Sequence, residues 1–160
     1  MNETAEFNVA VIDYPQTPIA VMEHRGSPNL LGSTIHQFIA WRKRNHLPPG
    51  QSKTFNLLYD DPSVTEPDNF RFDIGCSVDH PVKENDYGVV NKVIPAGKCA
   101  VVRHIGSDDG MGAAVHYLYS TWLRDSGFEL RDFPIFLERV SFFPDVPEKD
   151  MITDIYLPIH

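Results

Sequence analysis

The sequence predicts an α+β fold made of two copies of one unit related by a pseudo-twofold axis, with antiparallel sheets and one main helix per copy. Three observations carry this. Ile19-Ala20-Val21-Met22-Glu23-His24-Arg25-Gly26-Ser27 returns as Cys99-Ala100-Val101-Val102-Arg103-His104-Ile105-Gly106-Ser107, at a constant offset of 80. Asp73-Ile74 returns as Asp154-Ile155, at an offset of 81. Each copy of the first motif leads into apolar residues at helical spacing: Leu31, Ile35, Phe38 and Ile39 in one, Met111, Val115, Leu118, Trp122 and Leu123 in the other. Repeats are sought first because the seam between two copies of a unit is a favoured ligand site.

The elements follow in order. Phe7 to Tyr14 alternates and stops at Pro15, which reads as a strand. Pro18 to His24 is a second strand. Ser27 and Pro28 then open the first helix, as N-cap and first helical residue. The helix ends before Leu47-Pro48-Pro49-Gly50, and Thr54 to Tyr59 and Phe70 to Val78 are strands separated by an Asp60-Asp61-Pro62 turn. Asp79 to Tyr87 links the halves. The second half repeats the plan: strands at Gly88 to Ile94 and Lys98 to His104, then a helix opened by Ser107 and closed by Gly127. Strands at Ile135 to Val140 and Asp154 to Ile159 complete it, with a turn at Phe143-Pro144-Asp145 between them. The expectation is a single domain over 1–160, with repeats of about 7–80 and 88–160 around a central pocket.

Composition narrows the function classes. A hydrophobic fraction of 42% is that of a globular chain. No apolar run approaches the ~20 residues of a membrane span, and the acidic start Met1-Asn2-Glu3-Thr4-Ala5-Glu6 lacks the features of a signal peptide. A cytoplasmic location is the default. The net charge of -8, with 14 basic against 22 acidic residues, opposes binding to a phosphate backbone. Arg42-Lys43-Arg44 is the one basic cluster and reads as a solvated helix end. Cys76 and Cys99 read as buried, reduced thiols, and no Cys or His spacing suggests a metal or other cofactor. His24 and His104 are repeat partners, which points to a role in the fold.

Glu138 is the residue singled out for chemistry. It lies in the strand Ile135-Phe136-Leu137-Glu138-Arg139-Val140, where alternation places it on one face with Phe136 and Val140. A carboxylate between apolar neighbours is costly to bury unless it is paired or used. The alternative is an edge position in water. The 81-residue offset matches Glu138 with Leu57, Phe136 with Phe55 and Val140 with Tyr59. The repeat therefore holds an apolar residue where the second copy holds an acid. Tyr59 is expected on the same seam from the other half, and the helical aromatics Tyr119 and Trp122 are candidates for core, ligand contact or both.

At these residues the chain resembles the GyrI-like (gyrase-inhibitory-protein-like) small-molecule-binding domain, which is also the effector-binding domain of AraC-type and MerR-type transcription regulators. The resemblance rests on His24-Arg25-Gly26-Ser27 and His104-Ile105-Gly106-Ser107; on Leu58-Tyr59-Asp60-Asp61-Pro62 with Phe72-Asp73-Ile74-Gly75; and on Trp122-Leu123-Arg124-Asp125-Ser126-Gly127, Phe136-Leu137-Glu138-Arg139 and Asp154-Ile155-Tyr156-Leu157-Pro158-Ile159. It implies two SHS2-type repeats around a pocket with aromatic walls and a buried Glu, at Glu138. The implied ligand is a bulky, hydrophobic, cationic small molecule. The implied contacts are Glu138, Tyr59, Phe136, Trp122, Tyr119, Leu57 and Val140. Val140 departs from the pattern, since relatives often carry Tyr there.

Three function classes follow. One is a stand-alone sensor or sequestering module for such molecules, without direct sequence-specific DNA binding, because the repeats occupy the chain from Phe7 to His160. The second is a protein-interaction module like the gyrase inhibitors, with gyrase or a regulator as partner. The third is a hydrolase of strained cyclopropane-bearing toxins with Glu138 as the catalytic residue.

Overall fold

A computed structural model describes residues 7–142 and 145–160. The expected turn at Phe143-Pro144-Asp145 falls partly outside them. The chain forms two units, one from residues 16–95 and one from residues 1–15 with 96–160. Both are α+β.

In the unit of residues 16–95, four antiparallel strands run in the order β5-β2-β4-β3: β2 (Thr17–Arg25), β3 (Thr54–Leu58), β4 (Arg71–Ser77) and β5 (Val89–Ile94). The helix α1 (Leu31–Arg44) covers one face. Phe38 and Trp41 pack there on Ala20, Met22, Ile74, Cys76 and Val89. The expected stripe is partly right: Phe38 turns inward as expected, joined by Trp41, while Ile35 and Ile39 are exposed. Side chains opposite one another in an antiparallel pair share a face, so Glu23, Asp73 and Leu57, aligned across β2, β4 and β3, lie on the face that α1 leaves uncovered.

The other unit repeats the arrangement in the order β1-β6-β8-β7: β1 (Ala10–Tyr14), β6 (Gly97–Ile105), β7 (Ile135–Arg139) and β8 (Ile152–Pro158). Its helix, α2 (Met111–Tyr117), passes through a π-helical turn at Leu118–Trp122 and resumes as α3 (Leu123–Ser126). Gly127, at φ 82°, ends it in the left-handed conformation anticipated for a closing glycine.

The first strand of each sheet comes from the other stretch of chain. β1 pairs with β6 rather than β2, Val11 lying opposite Ala100, while β5 pairs with β2. The segment Asp79 to Tyr87 therefore stays inside the unit of residues 16–95, joining β4 to β5. Its backbone is tied to that sheet by Asn91, which bonds Val82 in both directions, and by Asn85, which bonds Val89 in both directions.

The repeated histidines build the strand-to-helix corners. His24 Nε2 bonds the Ser27 carbonyl at 2.9 Å, and His104 Nε2 bonds the Ser107 carbonyl at 2.7 Å. Gly26 and Gly106 both sit at φ 130°, a region closed to most side chains. The two serines differ. The Ser27 hydroxyl accepts from Asn29 N as a cap, whereas the Ser107 side chain makes no capping bond, its carbonyl being the group used.

Arg42 corrects the reading of the basic cluster. It is 6% exposed, and its guanidinium donates to the carbonyls of Leu47 and Ser52 and to Thr54 Oγ1. It ties the end of α1 to the chain entering β3.

Candidate functional site

Glu138 is the third member of a polar row that crosses three strands. Arg103 on β6, Asp154 on β8 and Glu138 on β7 stand opposite one another in strand register. Arg103 Nε and Nη2 donate to the two Asp154 oxygens at 2.8 and 3.0 Å, the paired geometry that makes a guanidinium–carboxylate contact directional. Asp154 is buried and Glu138 is part-buried.

Alternation places an aromatic cluster on the same face. Phe136 lies opposite Tyr156 in register and stacks on it, with ring centroids 5.0 Å apart and planes 13° from parallel. Tyr14 meets both rings edge-on at 5.0 and 5.3 Å. All three rings are buried. Burial, and then the nearby charge of Glu138, push the Tyr156 hydroxyl well above the usual phenol range. This face therefore sets a negative field beside desolvated aromatic rings. The helix begins on the other face, where His104 approaches Gly110 and Arg139 Nη1 donates to Asp108 at 2.6 Å.

The sequence candidates separate into groups. Glu138 and Phe136 share the face just described. Val140 follows β7 and is exposed. Tyr119 and Trp122 both fall in the π-helical turn, where Trp122 stacks on Phe128 at 6.0 Å and burial raises the Tyr119 hydroxyl pKa. Irregular turns of this kind recur at functional positions in helices. Leu57 and Tyr59 belong to the other unit, where Leu57 is fully buried opposite Asp73.

Tyr59 anchors an ion cluster there. Its hydroxyl donates to Asp73 Oδ2 at 3.1 Å, and Arg25, Arg71 and Lys92 each place their charge 5.4 Å from its ring centroid. Asp73 also accepts from Arg25 at 2.9 Å and Lys92 at 2.6 Å, and Lys92 bonds Glu23 at 2.8 Å. Burial works against the charge on Lys92, but its hydrogen bonds to Asp73 and Glu23 outweigh it and hold the ammonium pKa above its ordinary value. A hydrogen bond from Lys92 holds the Glu23 carboxyl below its own.

The sequence reading missed Asp154, Arg103, Tyr156 and Tyr14 on the helix-free face of one unit, and Asp73, Glu23, Arg25 and Lys92 on that of the other. The Asp73/Asp154 echo was the available signal, because it marks an acid repeated in mid-strand, and parity then adds Tyr156. A cavity of about 880 Å³ opens beside the 79–87 loop and one of about 520 Å³ at the end of α1; neither is lined by a candidate residue. Among the described residues no cluster of His, Cys, Asp and Glu could hold a metal ion, and no helix is long and apolar enough to cross a membrane.

Each unit is thus a strand-helix-sheet repeat with aromatic rings and carboxylates on the helix-free side of its sheet. Residues 7–160 match the model of the GyrI-like small molecule binding domain, and the chain belongs to that family. It is 40% identical over 153 residues to the probable transcriptional regulator YgiV of Escherichia coli strain K12, covering 95% of this chain and 96% of the relative. It is 32% identical over 87 residues to DNA gyrase inhibitor 2 of Dickeya dadantii strain 3937, over 53% of this chain and 54% of the relative. Among solved structures, the C-terminal domain of EcmrR has the same fold, with a TM-score of 0.77 at 18% identity, covering 96% of this chain and 98% of that one.

Proposed function

We propose that the chain binds hydrophobic organic cations, with Glu138 as counter-ion and Phe136 and Tyr156 as aromatic wall. The supporting observation is the placement of a part-buried carboxylate on one sheet face with a buried Tyr14–Phe136–Tyr156 cluster. A cation there gains Coulomb attraction in a medium less polar than water and attraction to the ring faces. The role is that of a small-molecule sensor or sequestering module in the cytoplasm. A net charge of -8 argues against direct DNA binding, and titration of a defined duplex at varied salt tests that point.

Calorimetry with tetraphenylphosphonium and neutral triphenylphosphine oxide tests the reading. Losing one partner of a desolvated ion pair costs roughly 3–5 kcal/mol, whereas a neutral ligand loses about one hydrogen bond, on the order of 1 kcal/mol. Glu138→Gln should therefore weaken the cation about 10- to 1000-fold more than the neutral compound. Equal losses would overturn the proposal. Alanine at Trp122, Tyr119, Val140, Tyr59 and Leu57 tests the wider set of contacts. The likeness to a gyrase inhibitor supports a second reading, protein interaction with gyrase, which a supercoiling assay decides.

A further inference from the structure

We infer that the unit of residues 16–95 contains a second ammonium site, and that Lys92 of this same chain fills it. Four groups converge on one nitrogen. Lys92 Nζ lies 2.6 Å from Asp73 Oδ2, 2.8 Å from Glu23 Oε2, 3.3 Å from the Tyr59 hydroxyl and 5.4 Å from the Tyr59 ring centroid. Two carboxylates and an aromatic face are the chemistry that recognises a primary ammonium. The Asp73 side chain is 0% exposed, which sets this cluster apart from a loose surface ion pair.

The repeat shows that the fold does not require a cation at the Lys92 position, since in the other sheet Arg103, standing where Glu23 stands here, meets the matching acid Asp154. Ile19 pairs with Lys92, and Cys99, the repeat partner of Ile19, pairs with Ile12. Ile12 is thus the counterpart of Lys92, and that position carries no charge. The acid is common to both sheets, as Asp73 and Asp154, while an internal ammonium reaches it from the edge strand in only one. Lys92 acts there as a tethered ligand. The inference stands on residues 16–95 alone and survives failure of the reading at Glu138.

Chemical rescue tests it. Lys92→Ala removes three carbons and the nitrogen, the size of n-propylammonium. Thermal unfolding of the full chain is followed with n-propylammonium chloride, with matched sodium chloride and with neutral n-propanol. At about tenfold over its dissociation constant the amine should raise the melting temperature of the variant by roughly 3–6 °C more than either control, and leave the parent chain unchanged. Isothermal titration should show one amine per variant chain, lost when Asp73→Asn is added. Lys92→Met, which keeps most of the aliphatic stem and fills the cage, should fold and show no rescue. Should Lys92→Ala not fold, the added amine should restore its folding, read by circular dichroism. Equal effects of propylammonium and propanol, or rescue that persists with Asp73→Asn, would overturn the inference.

Discussion

Glu138 and Leu57 occupy equivalent places in the two units: Glu138 stands opposite Asp154 in strand register, and Leu57 opposite Asp73. One sheet accommodates a buried leucine at a position where the other presents a carboxylate. The register position itself thus accepts either an apolar side chain or an acid. Glu138→Leu should leave the melting temperature within a few degrees of the parent while abolishing the preference for cations. Collapse of the fold would show that the carboxylate is structural.

Asp73 should be the least replaceable acid. It is fully buried and held by Arg25, Lys92 and Tyr59. Asp73→Ala leaves two cations without their shared partner and should cost roughly 3–5 kcal/mol. Urea unfolding measures it, and a loss under about 1 kcal/mol would contradict the ion cluster as described.

Acid sensitivity should depend on Glu23. The hydrogen bond from Lys92 lowers its folded pKa below the ordinary 4.5. A depressed folded pKa gives stability that is complete above the unfolded pKa and is lost as pH falls through the folded one. Stability should thus decline below about pH 4.5, and less steeply in Glu23→Gln. Parallel acid-melting curves for the two proteins would exclude this contribution.

Tyr156 should behave in the opposite sense. Burial and the Glu138 charge raise its pKa. The stabilisation is present below the unfolded phenol value and fades as pH rises through the folded one. Spectrophotometric titration should show this tyrosine ionising above the usual phenol range, and earlier in Glu138→Gln, where the opposing charge is gone. An unchanged titration would remove Glu138 from its surroundings.

Arg42→Met should destabilise by about 2–3 kcal/mol, because it strips donors from the Leu47 and Ser52 carbonyls and the Thr54 hydroxyl. A loss within experimental error would return Arg42 to the solvated cluster of its neighbours.

Local chemistry was legible in the sequence where it was self-contained. Pro15 and Pro95 mark the strand ends after Tyr14 and Ile94, Gly127 closes the second helix, and the 80-residue echo locates both histidine corners. What escaped depended on partners distant along the chain. Val11 gives no hint that its neighbour is Ala100, because a repeat records which segments are alike and not which ones pair. Arg42 resembles Lys43 and Arg44 until the returning chain supplies its acceptors. Lys92 and Asp73 are separated by a loop, and only the crossing of β5 onto β2 brings them together.

The exchange of first strands bears on how the chain is made. Synthesis delivers β1 first, but its partner β6 follows only after the whole of residues 16–95 has emerged. That intervening stretch holds the four strands β2 to β5, which pair with one another and can close while β1 waits. The nascent protein therefore carries an unsatisfied leading edge through most of translation, and an unpaired strand edge is the feature that recruits chaperones or, in their absence, other copies.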